Sequence, residues 1–161
     1  MKECCEPSEG QACSPVAEEP GVCPCCGKKG KPVTTLTVKS LVRDHTRVSA
    51  SASYSFCRTL ECDVVYFASQ VIFHKPDLKV RVGIKETASP ILLCYCFDYS
   101  REDICHRVGA GEATVIQEKV RAEVQGGFCA CEVKNPSGAC CLGDIARAIQ
   151  QCRKDISTSD R

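Results

Sequence analysis

A chain of 161 residues is long enough for one ordinary domain or two small ones, and 21 basic against 20 acidic residues leave a formal charge of +1. That balance gives no bulk electrostatic reason to bind nucleic acid or an anionic membrane, and no stretch approaches the ~20 apolar residues that span a bilayer. With 16 Cys, no Trp, 5 Phe and 4 Tyr, the apolar core is modest, so sulfur is expected to take part in folding, as disulfides or metals do in other small domains.

The N-terminal run "MKECCEPSEGQACSP" contains no apolar core of a signal peptide. A cytoplasmic, reducing setting is therefore expected. There, clustered cysteines hold metal or carry redox chemistry more often than they form structural disulfides.

In chain order, residues 1–20 are rich in Glu, Pro, Ser and Gly without periodicity and are expected to be a flexible, Cys-containing tail. Residues 21–86 read as a β-rich domain. After the Gly-punctuated turn "CPCCGKKGKPV", the runs "TTLTVKSLV", "SASYSF", "DVVYFASQVIF" and "LKVRVGI" are β-branched and aromatic, with "HKPD" as a turn signal. They predict a small antiparallel sheet ending near Lys85. "ETASP" reads as a linker, and residues 87–156 as a helical domain. Ser100 followed by Asp103 predicts a capping-box start for a helix with Ile104 and Val108 on one face, ended by Gly109 and Gly111. "EATVIQEKVRAEV" predicts a second helix presenting Val115, Ile116, Val120 and Val124, stopped by Gly126 and Gly127. "CLGDIARAIQQCRKDI" predicts a third, with a frayed tail over 157–161. The fold class is α+β: a small zinc-stapled antiparallel β domain, then a small three-helix domain.

Two cysteine constellations carry the chemistry. The first is Cys23 and Cys26 on a Gly-containing turn, with Cys57 and Cys62 in "FCRTLEC" at a hairpin tip. Thiolates with two residues between them on a turn reach one ion, and structural zinc takes four such ligands in a tetrahedron. Such a site would staple a sheet too small to hold itself together. Cys25 is an alternative ligand within the turn, core thiols are the bland reading, and rubredoxin-like iron is the other metal. The second constellation is "CYC", Cys94 and Cys96, with the loop "GGFCACEVKNPSGACCLGDI" about thirty residues on. That loop offers one ligand from Cys129 or Cys131 and another from Cys140 or Cys141. Four thiolates, two per iron, suit a 2Fe–2S cluster, with a second four-cysteine zinc site as the alternative. Two helices between the pairs would fold the chain back. Gly126, Gly127 and Gly138 would leave room for backbone N–H groups to face the sulfurs.

The runs "CYCFDYSREDI" and "CACEVKNPSGACCLGDI" resemble the cluster-binding region of bacterioferritin-associated ferredoxin. The span from "CPCCGKKG" through "FCRTLECDVVYF" to "CCLGDI", roughly residues 22–150, resembles the N-terminal part of copper chaperones of the CopZ type, which contain zinc and a 2Fe–2S cluster. The resemblance implies one zinc on Cys23, Cys26, Cys57 and Cys62, and a 2Fe–2S cluster on Cys94, Cys96, Cys131 and Cys141; the simpler ferredoxin relatives would favour Cys129. It also implies a metal-homeostasis accessory role, with one-electron transfer supporting traffic of copper or another soft metal, for example reduction of Cu(II) to Cu(I). The partner would be a redox or metal-transfer protein, such as a copper-binding chaperone domain or a metal-transporting ATPase. Chaperones of this type continue into a copper domain with a Met-x-Cys-x-x-Cys loop. That loop does not occur in these residues, whose one methionine is Met1, so either the sequence is a piece of a longer protein or its metal-transfer partner is a separate chain.

Other groups are expected to carry little. His45, His74 and His106 show no ligand spacing and read as solvated or locally hydrogen-bonded. Cys105 and Cys152 lie on helix faces and read as buried packing thiols. Cys4, Cys5 and Cys13 are soft donors suited to Cu+, or incidental. Nothing resembles a hydrolase or phosphoryl-transfer set, so enzyme activity beyond metal reduction is not expected. The alternative to electron transfer is a non-redox docking module in which both metals only stabilise the fold.

Overall fold

In the computed structural model, which describes residues 21–159, the first half builds a four-stranded antiparallel sheet whose strands are neighbours in chain order. These are β1 (Lys31–Val33), β2 (Tyr54–Phe56), β3 (Val64–Ala68) and β4 (Val71–His74). Lys31 pairs with Phe56, Ser55 with Phe67, and Phe67 with Ile72. Strict alternation would send successive β3 residues to opposite faces. A register shift between Val64 and Tyr66 breaks it, as bulges do. Val65 and Tyr66 consequently join the main core with Val38, Phe56 and Phe73, while Val64 and Phe67 pack against Cys23, Cys57 and Cys62.

Two of the expected strands form otherwise. "TTLTVKSLV" is helical from Thr35 to Leu41 (α1). Thr34 caps it by accepting the Thr37 N–H at 3.2 Å, and Thr37, Val38 and Leu41 make one buried stripe; the cap and the stripe outweigh β-branched propensity. "LKVRVGI" forms no strand either. Leu78 makes one bridge to Val42, Gly83–Lys85 is a 3-10 turn, and the sheet ends at His74 rather than near Lys85. Leu78 and Val82 are buried in the main core all the same.

The second half holds a small hairpin that the sequence reading omitted, β5 (Leu92–Cys94) and β6 (Tyr99–Ser100), turning through Asp98 at φ 55°. Next come α2 (Arg101–Gly109), α3 (Ala113–Gln125), the single turn α4 (Cys131–Lys134) and α5 (Leu142–Ser159). The Ser100/Asp103 capping box is present in both directions. On α3 it is Ile116 and Val120 that are buried, while Val115 is 44% exposed. The expected frayed end at 157 is instead the last turn of α5. Cys105 and Cys152, expected as separate packing thiols, are joined in a disulfide between α2 and α5, their Cα atoms 5.2 Å apart. Helices packed this closely bring Cα atoms within the range a disulfide requires.

The halves dock through polar contacts aimed at the second half's cysteine segments. Tyr66 Oη donates to the Pro136 carbonyl at 2.7 Å, and Lys31 Nζ to that of Ser137 at 3.3 Å. Gly138, at φ +63°, sits where an added Cβ would lie 3.0 Å from Thr37 Oγ1, so this turn is closed to larger residues.

Candidate metal centres

The first centre forms where the N-terminal turn meets the β2–β3 connection. Gly27 adopts φ +67°, a conformation that glycine enters without steric cost, and donates its N–H to Cys23 O at 2.9 Å. The turn closes with Cys23 N–H on Lys28 O at 2.8 Å. Opposite it, Cys57 and Cys62 are set by backbone bonds to Val65 O and Thr59 O. The sulfurs of Cys23, Cys26, Cys57 and Cys62 all lie within 4.8 Å of one another. Cys23 and Cys62 Sγ are 3.9 Å apart, Cys26 and Cys57 Sγ 3.7 Å. A tetrahedral zinc with Zn–S of about 2.3 Å has S···S edges of about 3.8 Å. The donor set fits that ion in number, type and spacing. Cys25 is exposed and stands outside the set.

Electrostatics agree. Burial pushes the Cys23 and Cys62 thiols up, whereas Cys26 is drawn down to about 6, chiefly by the Thr59 hydroxyl at 3.3 Å. Buried thiolates need a cation, and metal binding expels their protons. Four thiolates on a divalent ion carry a net charge of −2. Beside them Lys85 is 2% exposed, with Nζ on the carbonyls of Thr59 (2.7 Å) and Cys62 (2.9 Å). Among the described residues no carboxylate lies within ion-pair distance of that ammonium. A buried cation without an acidic partner is costly, and an anionic metal–thiolate centre next to it removes the imbalance. Sequence reasoning missed Lys85, since nothing in "VGIKE" distinguishes a buried lysine from a surface one.

The second set is arranged as pairs. Cys94 ends β5 and Cys96 lies in the hairpin turn; Cys131 opens α4 and Cys141 immediately precedes α5. Cys96 and Cys131 Sγ are 3.6 Å apart, and the Ala130 N–H points at Cys96 Sγ at 3.2 Å. The hydrogen bond from Cys141 is the main reason that Cys94 is drawn down to about 6, and the same bond pushes Cys141 up. Burial, then Cys96, pushes Cys131 up to about 12. Cys94, Cys131 and Cys141 are buried, Cys96 and Cys129 are both half-buried, and Cys140 is exposed. Cys131 is the member of its doublet beside Cys96, and Cys141 the one beside Cys94; among the described residues only the first set brings its sulfurs within 4.8 Å of one another. Among the glycines expected to leave room for N–H groups near the sulfurs, Gly127 has φ +77° and Gly138 φ +63°, and Gly126 caps α3. His45, His74 and His106 are exposed, with His74 Nδ1 3.8 Å from Asp77. Cys4, Cys5 and Cys13 lie outside the described residues.

Fold and first site together define a metal-binding α+β protein whose sheet is closed at one end by four converging cysteines. Residues 20–79 match the family model of the CopZ-type zinc binding domain. The chain is 35% identical over 125 residues to the copper chaperone CopZ of Archaeoglobus fulgidus, covering 78% of this chain and 60% of that protein. It thus spans somewhat less than two thirds of the relative's length. The X-ray structure of the Archaeoglobus fulgidus CopZ N-terminal domain is similar to it at a TM-score of 0.65 and 33% identity, over 78% of this chain and 95% of that one. The chain belongs to the CopZ family and corresponds to its N-terminal domain. Among the described residues no helix is long and apolar enough to cross a membrane.

Proposed function

We propose that this chain is a cytoplasmic metal-homeostasis protein holding zinc on Cys23, Cys26, Cys57 and Cys62, and a 2Fe–2S cluster on Cys94, Cys96, Cys131 and Cys141. The observation that supports the second assignment is the 3.6 Å approach of Cys96 and Cys131 Sγ, with Cys94 and Cys141 interacting beside them, an arrangement compatible with two thiolates on each of two irons. The division into a zinc-binding unit over 21–86 and a cluster-binding unit over 87–156 belongs to the same proposal. It is supported by buried clusters that share no residue across that boundary.

A 2Fe–2S cluster supplies one-electron redox chemistry. The chain's own residues have definite tasks around it. Burial of Cys94, Cys131 and Cys141 would keep water from their sulfurs, and the Ala130 N–H would steady charge on Cys96. Outer hydrogen bonds and exposure of this kind set a centre's potential. A reduced cluster held there would pass one electron to Cu(II), becoming oxidised and giving Cu(I), the form that soft thiolate donors carry; a redox partner protein would re-reduce the cluster, and a copper-binding chaperone domain or a metal-transporting ATPase would receive the Cu(I). The relative's description as a copper chaperone supports this direction.

An absorption spectrum of protein purified without oxygen tests the proposal. Visible bands at roughly 400–600 nm, bleached by dithionite, are expected of the cluster. A colourless protein holding two zinc ions would remove the redox reading and leave the non-redox docking module as the alternative.

A further inference from the structure

Both cysteine segments of the second centre are fastened to the first half, and one fastening runs directly between the two centres. The 3-10 turn Gly83–Lys85 grips the zinc loop at one end, where the buried Lys85 ammonium donates to the carbonyls of Thr59 and Cys62 at 2.7 and 2.9 Å. At its other end the Gly83 N–H donates to Tyr95 Oη at 2.7 Å, and that hydroxyl donates to Arg81 O at 2.9 Å. Tyr95 is the residue between Cys94 and Cys96. Gly83 also backs onto Leu92 of β5 so closely that no Cβ fits there.

We propose that the Gly83–Lys85 turn is a positioning strut between the centres: zinc on the first set holds the loop of residues 57–62, Lys85 follows that loop, and Gly83 holds the Cys94–Cys96 hairpin through Tyr95. Loss of zinc then loosens the hairpin, and by reciprocity an occupied hairpin tightens zinc binding. The two-state element is the hairpin itself, a short ladder of three-residue and two-residue strands too small to be stable alone. The inference rests on the reading of Cys94 and Cys96 as ligands of the second centre.

Hydrogen–deuterium exchange of the peptide covering residues 91–100 tests it, in wild type and Tyr95→Phe, zinc-loaded and after EDTA. In wild type, zinc removal should speed exchange there at least tenfold. Tyr95→Phe, which keeps the ring and loses both hydroxyl bonds, should exchange at the raised rate already and respond less than twofold to EDTA. A wild-type change below twofold overturns the strut, as does a Tyr95→Phe response equal to wild type. So does loss of protection along the whole chain, Ala113–Gln125 included, because coupling would then be global unfolding. Visible absorbance of the same samples reports the cluster separately. Its absence from wild type would remove the cluster reading, while the amides would still decide the strut.

Discussion

Replacing Tyr66 by phenylalanine removes one oxygen from the largest fully buried side chain and one of the bonds between the halves. The ring stays packed against Phe56, 5.9 Å between centroids, so the apolar contribution is kept. What changes is the Pro136 carbonyl, which accepts the Tyr66 hydroxyl at 2.7 Å in a buried setting. A buried acceptor left without its donor costs roughly 1–3 kcal/mol. For a chain of this size each kcal/mol shifts Tm by about 2–4 °C, so a mid-range loss lowers it by roughly 4–8 °C. Ionisation does not confuse the result, because burial pushes the Tyr66 hydroxyl far above its ordinary range. Calorimetry of the metal-loaded proteins at pH 7 is the assay. Since Pro136 lies between Cys131 and Cys141, iron retention should fall more than zinc retention. A Tm within 1 °C of wild type, with iron retained equally, would refute the claim that this bond ties the turn to the sheet.

The Cys105–Cys152 disulfide closes a loop with a sequence separation of 47. By the chain-entropy relation it stabilises by about 4 kcal/mol; the Cys105→Ser/Cys152→Ser double variant should show that loss in denaturant melts, with a difference below 1 kcal/mol counting against the crosslink. Glu102 accepts from the Ser89 hydroxyl and from the Ile91 N–H at 3.0 Å, and these bonds, the hydroxyl first, hold its carboxyl down at about 2. Its folded pKa lies below the unfolded value of about 4.3, so its contribution is present above that pH and lost as pH falls towards 2. Glu102→Gln should therefore be less stable than wild type at pH 7, with the gap closing between about pH 4.5 and 2; metal loss in acid is common to both chains and cancels in the difference.

What was legible in the sequence tracks how local each signal is. The Ser100–Asp103 box and the glycine stop at Gly126–Gly127 act within a few residues, and the helices they bound came out as read. The turn at Cys23–Cys26 and the hairpin tip at Cys57–Cys62 were also readable, because thiol spacing and flanking strands are written side by side. In "TTLTVKSLV" two local signals competed: the alternation favoured a strand, while the Thr34 cap with Thr37, Val38 and Leu41 described the helix that formed. Choosing between Cys129 and Cys131, or Cys140 and Cys141, required knowing which sulfur turns inward once α4 and α5 are set. The Cys105–Cys152 bond and burial of Lys85 depend on packing between segments distant in the chain, and no local pattern announces either.

On the proposed reading, the two four-thiol sets converge on two different inorganic centres. Elemental analysis of anaerobically purified protein, joined to EPR after reduction, tests it most directly. One zinc and two irons per chain are expected, with the signal of a reduced 2Fe–2S centre lost in Cys141→Ser while zinc stays bound. Two zinc ions and no iron, or neither metal with Cys23, Cys26, Cys57 and Cys62 linked as disulfides, would contradict it.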